Sequence, residues 1–257
     1  MKQNKIIAVY NDNGNVGKST LTNFGIFPRL KNNPEIIYSE AESGNTILGE
    51  IKETAHGPVK HFEATQEDFN EMIRYLMENV VSHDIVVDFG STDSALMRAL
   101  FIESPGAVDV FDLWLLPTSP DVKQSDTLRT AKFLQLQDVP PEKIRLIFTI
   151  LPSSKKIKKV FDEIYKEHAD EPFFVLDESA VLYKTKLIDE LADTGYSIED
   201  LLNDKTDWKQ KVIDAHPHRA DPEVANKIKQ YTWMNLCTKQ AQSINDDFDA
   251  IFKSIMS

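Results

Sequence analysis

The chain has 257 residues, of which 41% are hydrophobic and 27% charged. That is enough for a real buried core in one large α/β domain or two small ones, and it excludes a chain disordered throughout. The formal net charge of −12 disfavours sequence-independent DNA binding across a broad surface, and the single cysteine, Cys237, excludes an internal disulfide and a Cys-rich zinc site.

Residues 6–10, Ile-Ile-Ala-Val-Tyr, form a continuously apolar, β-rich run that reads as a buried parallel strand. The run is too short for the core of a signal peptide, and Asn11-Asp12-Asn13 follows where small cleavage-site residues are expected. A polar, glycine-containing loop over 11–17 leads into a helix from Lys18 that ends or kinks near Pro28. Residues 36–38 read as a second strand, opening onto the acidic turn Glu40-Ala41-Glu42-Ser43-Gly44-Asn45. Thr65 with Asp68 starts a helix that runs to about residue 80. Residues 85–88 form a strand ending in Asp88. A helix over 93–102, a strand over 110–116 and a helix over 121–136 follow, and Pro140-Pro141 announces a strand over 144–151. Residues 173–176 read as the last strand. The remainder reads as helical and polar over 183–192, 197–202 and 222–256, with an irregular connector over 204–222. Alternating strands and helices imply a doubly wound α/β fold with a mostly parallel sheet covered on both faces. The expected organisation is a nucleotide-binding domain over 1–182 and a helical extension over 183–257 packed on it. No apolar run reaches the length of a bilayer span, and a cytoplasmic setting is expected.

The chemistry concentrates in Asn13-Gly14-Asn15-Val16-Gly17-Lys18-Ser19-Thr20. A tight loop of backbone N–H groups at a helix N-terminus satisfies the charge and the acceptor oxygens of a phosphate. Gly14 and Gly17 let the backbone bend and approach closely. Lys18 is expected to reach the β- and γ-phosphates, Ser19 to hold Mg2+, and Thr20 to add a phosphate contact. The order strand, glycine loop, helix is the context that a P-loop requires. Asp12 stands where the G-x-x-x-x-G-K-[ST] pattern has its first glycine, and its carboxylate would repel phosphate unless it points away. The competing readings are a glycine-rich turn with a surface lysine and a decayed loop that binds no nucleotide.

At these residues the sequence resembles the deviant-Walker-A ATPases of the ParA/MinD family, whose loop reads K-G-G-V-G-K-[ST]. With the acidic turn that follows, residues 14–20 look like those of the StbB/TraL-like plasmid stability and conjugation proteins. The resemblance covers about residues 5–182 and implies a bacterial protein that binds ATP, or GTP, with Mg2+ and works as a homodimer in plasmid partition or conjugation. A plasmid-encoded DNA-binding adaptor is an expected partner, with direct DNA binding by this acidic chain disfavoured. The resemblance further implies that Glu40 or Glu42 positions or activates the attacking water, that Asp88 holds Mg2+ through water, and that the region ending in Pro152 contacts the adenine. Asn13 departs from the family, whose signature lysine there reaches the partner's phosphates across a dimer. Two other functions remain open: a nucleotide-sensing adaptor that does not hydrolyse, and a small-molecule kinase or ligase on the same fold.

Other features carry plainer readings. Asp88 also looks like a strand-ending helix cap, and Glu40 and Glu42 like an ordinary solvated turn. The basic run Lys155-Lys156-Ile157-Lys158-Lys159 reads as a solvated helix face, and Trp208 and Trp233 as packing anchors. His216-Pro217-His218 lacks the supporting ligands of a metal site.

Overall fold

In the computed structural model, which describes residues 4–40, 59–91, 94–120, 124–153, 155–192 and 197–257, the chain divides into two compact units. The first holds residues up to Lys184 together with Phe248–Ser257; the second holds Thr185–Asp247.

The first unit is built on seven strands: β1 (Ile6–Val9), β2 (Glu35–Glu40), β3 (Val59–Glu63), β4 (Ile85–Phe89), β5 (Leu113–Thr118), β6 (Ile144–Leu151) and β7 (Val175–Tyr183). All pair in parallel, in the order β3-β2-β4-β1-β5-β6-β7. β1, β4 and β5 are buried along their whole length, which is why they read as unbroken apolar runs rather than as alternation. The sheet is therefore the doubly wound one expected, with β1 between β4 and β5. β1 connects to β2 beyond β4 on one side, and β4 connects to β5 on the other side of β1, so the strand order reverses around β1, where open α/β sheets bind ligands.

The helical elements of this unit begin with α1 (Lys18–Thr20), which continues as a π-helical turn over Leu21–Ile26 and a 3-10 turn over Phe27–Arg29 containing Pro28. Then come α2 (Gln66–Asn79), α3 (Ser94–Glu103), α4 (Gln124–Leu136), α5 (Ile157–Val160) and α6 (Asp162–Asp170). Thr65 caps α2 by accepting from the Asp68 N–H at 3.2 Å, the start that the sequence signals. Under the loop after β1, the rings of Tyr10, Phe89, Phe101, Phe111 and Trp114 pack edge-on or tilted at centroid distances of 4.6–6.4 Å, apart from the Phe89–Trp114 pair, which stacks.

The second unit contains α7 (Leu187–Ala192), α8 (Ile198–Asn203), α9 (Trp208–Ala215) and most of α10 (Pro222–Met256). A reciprocal capping box between Ser197 and Asp200 starts α8. Trp208 packs on Tyr231 at 5.6 Å and donates its indole N–H to Asp204. The last turns of α10 belong to the first unit, where Phe248, Ile251 and Ile255 are buried. There Asp249 pairs with Arg29, and the Ser254 hydroxyl donates to Asp177 at 2.5 Å. Among the described residues, no helix is long and apolar enough to cross a membrane.

Five details differ from the sequence reading. β3 is an added edge strand. Residues 107–110 form a 3-10 turn, so β5 begins at Leu113 rather than at 110. The last strand covers 175–183 instead of 173–176, and the helix expected from 183 begins at Leu187. The connector over 204–222 contains α9.

Candidate functional site

The loop leaves β1 at Tyr10 and enters α1 at Lys18, at the C-terminal edge of the sheet. Three anchors hold it. The buried Asn11 amide donates to the Pro117 carbonyl (2.8 Å) and to Thr127 (3.1 Å), while its side-chain oxygen accepts from the Asn13 N–H (2.9 Å). The Asp12 carboxylate takes the Tyr10 hydroxyl at 3.0 Å and pairs with Arg98 of α3. From β6, the buried Thr149 hydroxyl lies 2.7 Å from the Val16 carbonyl oxygen and 2.9 Å from that of Thr118. Its one proton serves one of them at a time. Thr149→Val keeps the shape and removes this clamp. We expect a cost of about 1–3 kcal/mol in urea denaturation, from a buried carbonyl left without its donor.

Gly14 and Asn15 form the exposed crest, with Gly14 lying against Ser91 of the turn after β4. Asn15 (φ 58°) and Gly17 (φ 83°) are both left-handed. At Gly17 a Cβ would meet Thr149 only at ordinary contact distance, so conformation rather than space calls for glycine. Val16 is fully buried. Ser19 and Thr20 sit half-buried in the first helical turn, and the Ser19 carbonyl accepts from Asn23 at 2.9 Å. Asn23 in turn accepts from the Tyr38 hydroxyl of β2 at 2.8 Å.

Lys18 curls into the loop. Its ammonium donates to the carbonyl oxygens of Asn11 (2.9 Å) and Asn13 (2.7 Å). Burial pushes its pKa down from 10.5 to about 8, and the negative charge of Asp88 acts in the opposite direction. Asp88 is buried near the end of β4, in register with Val9 and Tyr38. The structure thus joins Asn13, Lys18 and Asp88, with Ser19 beside them in sequence. Glu40 closes β2, opposite Glu63 of β3; Glu42 lies outside the described residues. Pro152 forms the turn after β6, its carbonyl accepting from the Lys155 N–H at 2.9 Å. Two residues earlier Ile150 has φ 56°, an outlier for a β-branched residue, beside a register break between β6 and β7.

Asn11, Arg98 and the clamping role of Thr149 escape the sequence reading. The available signals were a polar residue directly after a buried strand and the one basic residue in the apolar helix Ser94–Glu103.

No family model and no curated protein matches the sequence. Among solved structures, a chain of the MinC:MinD cell division protein complex from Aquifex aeolicus is similar with a TM-score of 0.50 at 18% identity, covering 77% of this chain and 88% of that one. This is a P-loop NTPase fold. Apo McdA of Cyanothece is similar with a TM-score of 0.48 at 12% identity, covering 90% and 98% of the two chains. For ParA of pNOB8, bound to nonspecific DNA, the TM-score is 0.45 at 13% identity, covering 96% and 99%. In this fold Lys18, after the loop that follows β1, and Asp88, near the end of β4, lie at the same edge of the sheet, with Asp88 acting on the Lys18 ammonium.

The residues present fit a nucleotide and a magnesium ion. The Lys18 ammonium already satisfies itself on loop carbonyls, and a buried carboxylate lies within its field. Among the described residues, no group of three or more His, Cys, Asp or Glu forms a metal cage.

Proposed function

We propose that this chain is an ATP-binding and ATP-hydrolysing P-loop protein of the ParA/MinD type, acting as a bacterial, cytoplasmic homodimer in plasmid partition or conjugative transfer. The observation that carries the reading is the buried Lys18 ammonium, folded onto the carbonyls of Asn11 and Asn13 with Asp88 acting on it. A lysine held among backbone acceptors beside a helix N-terminus is poised to exchange them for phosphate oxygens.

In this reading the backbone N–H groups of residues 13–17 cradle the phosphates, Lys18 supplies the cation, and Thr20 adds a contact. Ser19 and Asp88 would hold Mg2+, whose charge would offset that of the phosphates. Glu40 or Glu42 orients the water, and the turn at Pro152 borders the base. GTP remains an alternative substrate. With a net charge of −12, DNA is reached through a DNA-binding adaptor rather than directly.

A second reading, an adaptor that binds nucleotide without hydrolysing it, is favoured by Asn13, whose carboxamide brings no positive charge to the loop. Calorimetric titration with Mg·ATP, Mg·ADP and Mg·GTP, with phosphate release followed in parallel, separates the two. We expect wild type to bind and to release phosphate, and Asp88→Asn to keep binding while release falls at least about tenfold. Binding without release in the wild type replaces the ATPase reading with the adaptor. No binding removes both.

A further inference from the structure

Asp12 lies between the two residues whose carbonyls hold Lys18, yet its side chain serves a different partner. One carboxylate oxygen accepts from the Tyr10 hydroxyl at 3.0 Å and from Arg98 Nε at 3.3 Å, and the other pairs with the Arg98 guanidinium. The Asp12 side chain is 5% exposed and that of Arg98 23%. Arg98 is further fixed over the ring of Phe133, 5.4 Å from its centroid. The carboxylate that acts on the Lys18 ammonium is that of Asp88.

This arrangement answers the difficulty posed by an acid at the root of a phosphate loop. A carboxylate in a poorly solvated pocket projects its field over several ångströms, and a polyphosphate brought nearby is repelled. Tyr10 supplies a hydrogen bond but no charge. A guanidinium supplies both, stays protonated at any working pH, and grips a carboxylate in a fixed plane. Arg98 belongs to α3, the first helix after the Asp88 strand, so the pair also ties the loop to the element beyond β4.

We propose that Arg98 is a positioning residue of the P-loop: it neutralises the Asp12 carboxylate and holds it against Tyr10, which keeps the concave face of the loop electropositive for a nucleotide polyphosphate. The inference rests on the reading of this loop as the nucleotide site. A staple that served stability alone would make the same contacts, so the test must separate charge from folding.

Five proteins suffice: wild type, Lys18→Ala, Arg98→Met, Asp12→Asn and the double variant. Each is titrated with Mg·ATP and with pyrophosphate, and its thermal unfolding is recorded. Arg98→Met leaves an unneutralised carboxylate beside the loop and is expected to weaken both ligands at least about tenfold. Asp12→Asn is expected to bind within about threefold of wild type. The double variant is expected to return to that range although its melting temperature stays below wild type, a non-additivity that only the lost charge explains. Equal weakening in Arg98→Met and the double variant, or unchanged affinity in Arg98→Met, overturns the proposal. Should Arg98→Met not fold, Asp12→Asn decides alone, because clear weakening there means that the carboxylate itself is needed. Wild type that binds, with Lys18→Ala abolishing and Arg98→Met sparing the binding, removes this inference and leaves the nucleotide site standing. Wild type that binds neither ligand removes both.

Discussion

Lys18→Ala is expected to weaken Mg·ATP binding at least about a hundredfold, near 2.7 kcal/mol, the scale of losing charge-assisted hydrogen bonds in a partly dry site. The wild-type ammonium already sits at the loop, so it needs only to exchange two carbonyl oxygens for phosphate oxygens. Lys18→Arg is not expected to rescue, because a planar guanidinium does not fit a pocket shaped for a compact ammonium. The same lysine leaves a signature in pH. Its folded pKa of about 8 lies below the ordinary 10.5, so between these values the unfolded chain binds more protons than the folded one. Stability of the nucleotide-free protein therefore gains a contribution as pH rises from about 8 toward 10.5, and loses it as pH falls back through 8. Phosphate restores the charged form, so binding above pH 8 takes up a proton and weakens with pH. Urea denaturation at pH 7.5 and 9.5, and calorimetry in buffers of different ionisation enthalpy, read the two effects. Both should vanish in Lys18→Ala; a pH response that survives there is not owed to this lysine.

The second large effect is expected at Phe248. Its ring is buried, edge-on to Gly25 in the π-helical turn that follows the P-loop helix, and the Arg29 guanidinium lies 5.5 Å from its centroid. Phe248→Ala should cost about 3–5 kcal/mol in chemical denaturation. A Cβ at Gly25 would come within 2.9 Å of Phe248 Cδ1 and 3.0 Å of Leu21 Cδ1. Gly25→Ala alone should therefore cost about 1–3 kcal/mol by overpacking. Placed in the Phe248→Ala background, the same change should cost less than it does alone, because only the flexible end of Leu21 still has to shift and alanine prefers a helix. Strict additivity of the two changes would deny the contact. Arg29 deepens the dependence: its Nη1 donates to the Phe24 (2.8 Å) and Gly25 (3.2 Å) carbonyls while its Nε holds Asp249 at 2.7 Å.

Legibility in the sequence followed solvent exposure. β1 and β4 are buried on both faces and announce themselves as apolar runs. β3, Val-Lys-His-Phe-Glu, is an edge strand with three exposed residues, so it carries neither a run nor a clean alternation. β7 runs on past Asp177-Glu178-Ser179, polar residues in the register shift between its Leu176–Leu146 and Val181–Phe148 pairs, so no single apolar run spans it. In the candidate site, the positions of Lys18 and Asp88 were readable because the loop and the strand end are local patterns. Asn11, Arg98 and the Thr149 clamp were not, because their partners lie far along the chain: 106 residues separate Asn11 from Pro117, 86 separate Arg98 from Asp12, and 133 separate Thr149 from Val16.

The central place of β1 has a kinetic consequence. Ile6 pairs with Ile85 and Ile7 with Leu113, so the strand that carries the P-loop acquires its neighbours only when segments far downstream have closed onto it. Large loops must lose their entropy before those pairings reward them, which places the chain among slow folders of high contact order. During synthesis the proposed nucleotide site is assembled only after β5, well downstream of the loop, has left the ribosome. Until then an apolar strand waits unpaired, and it is there that a chaperone or a premature aggregate would take hold.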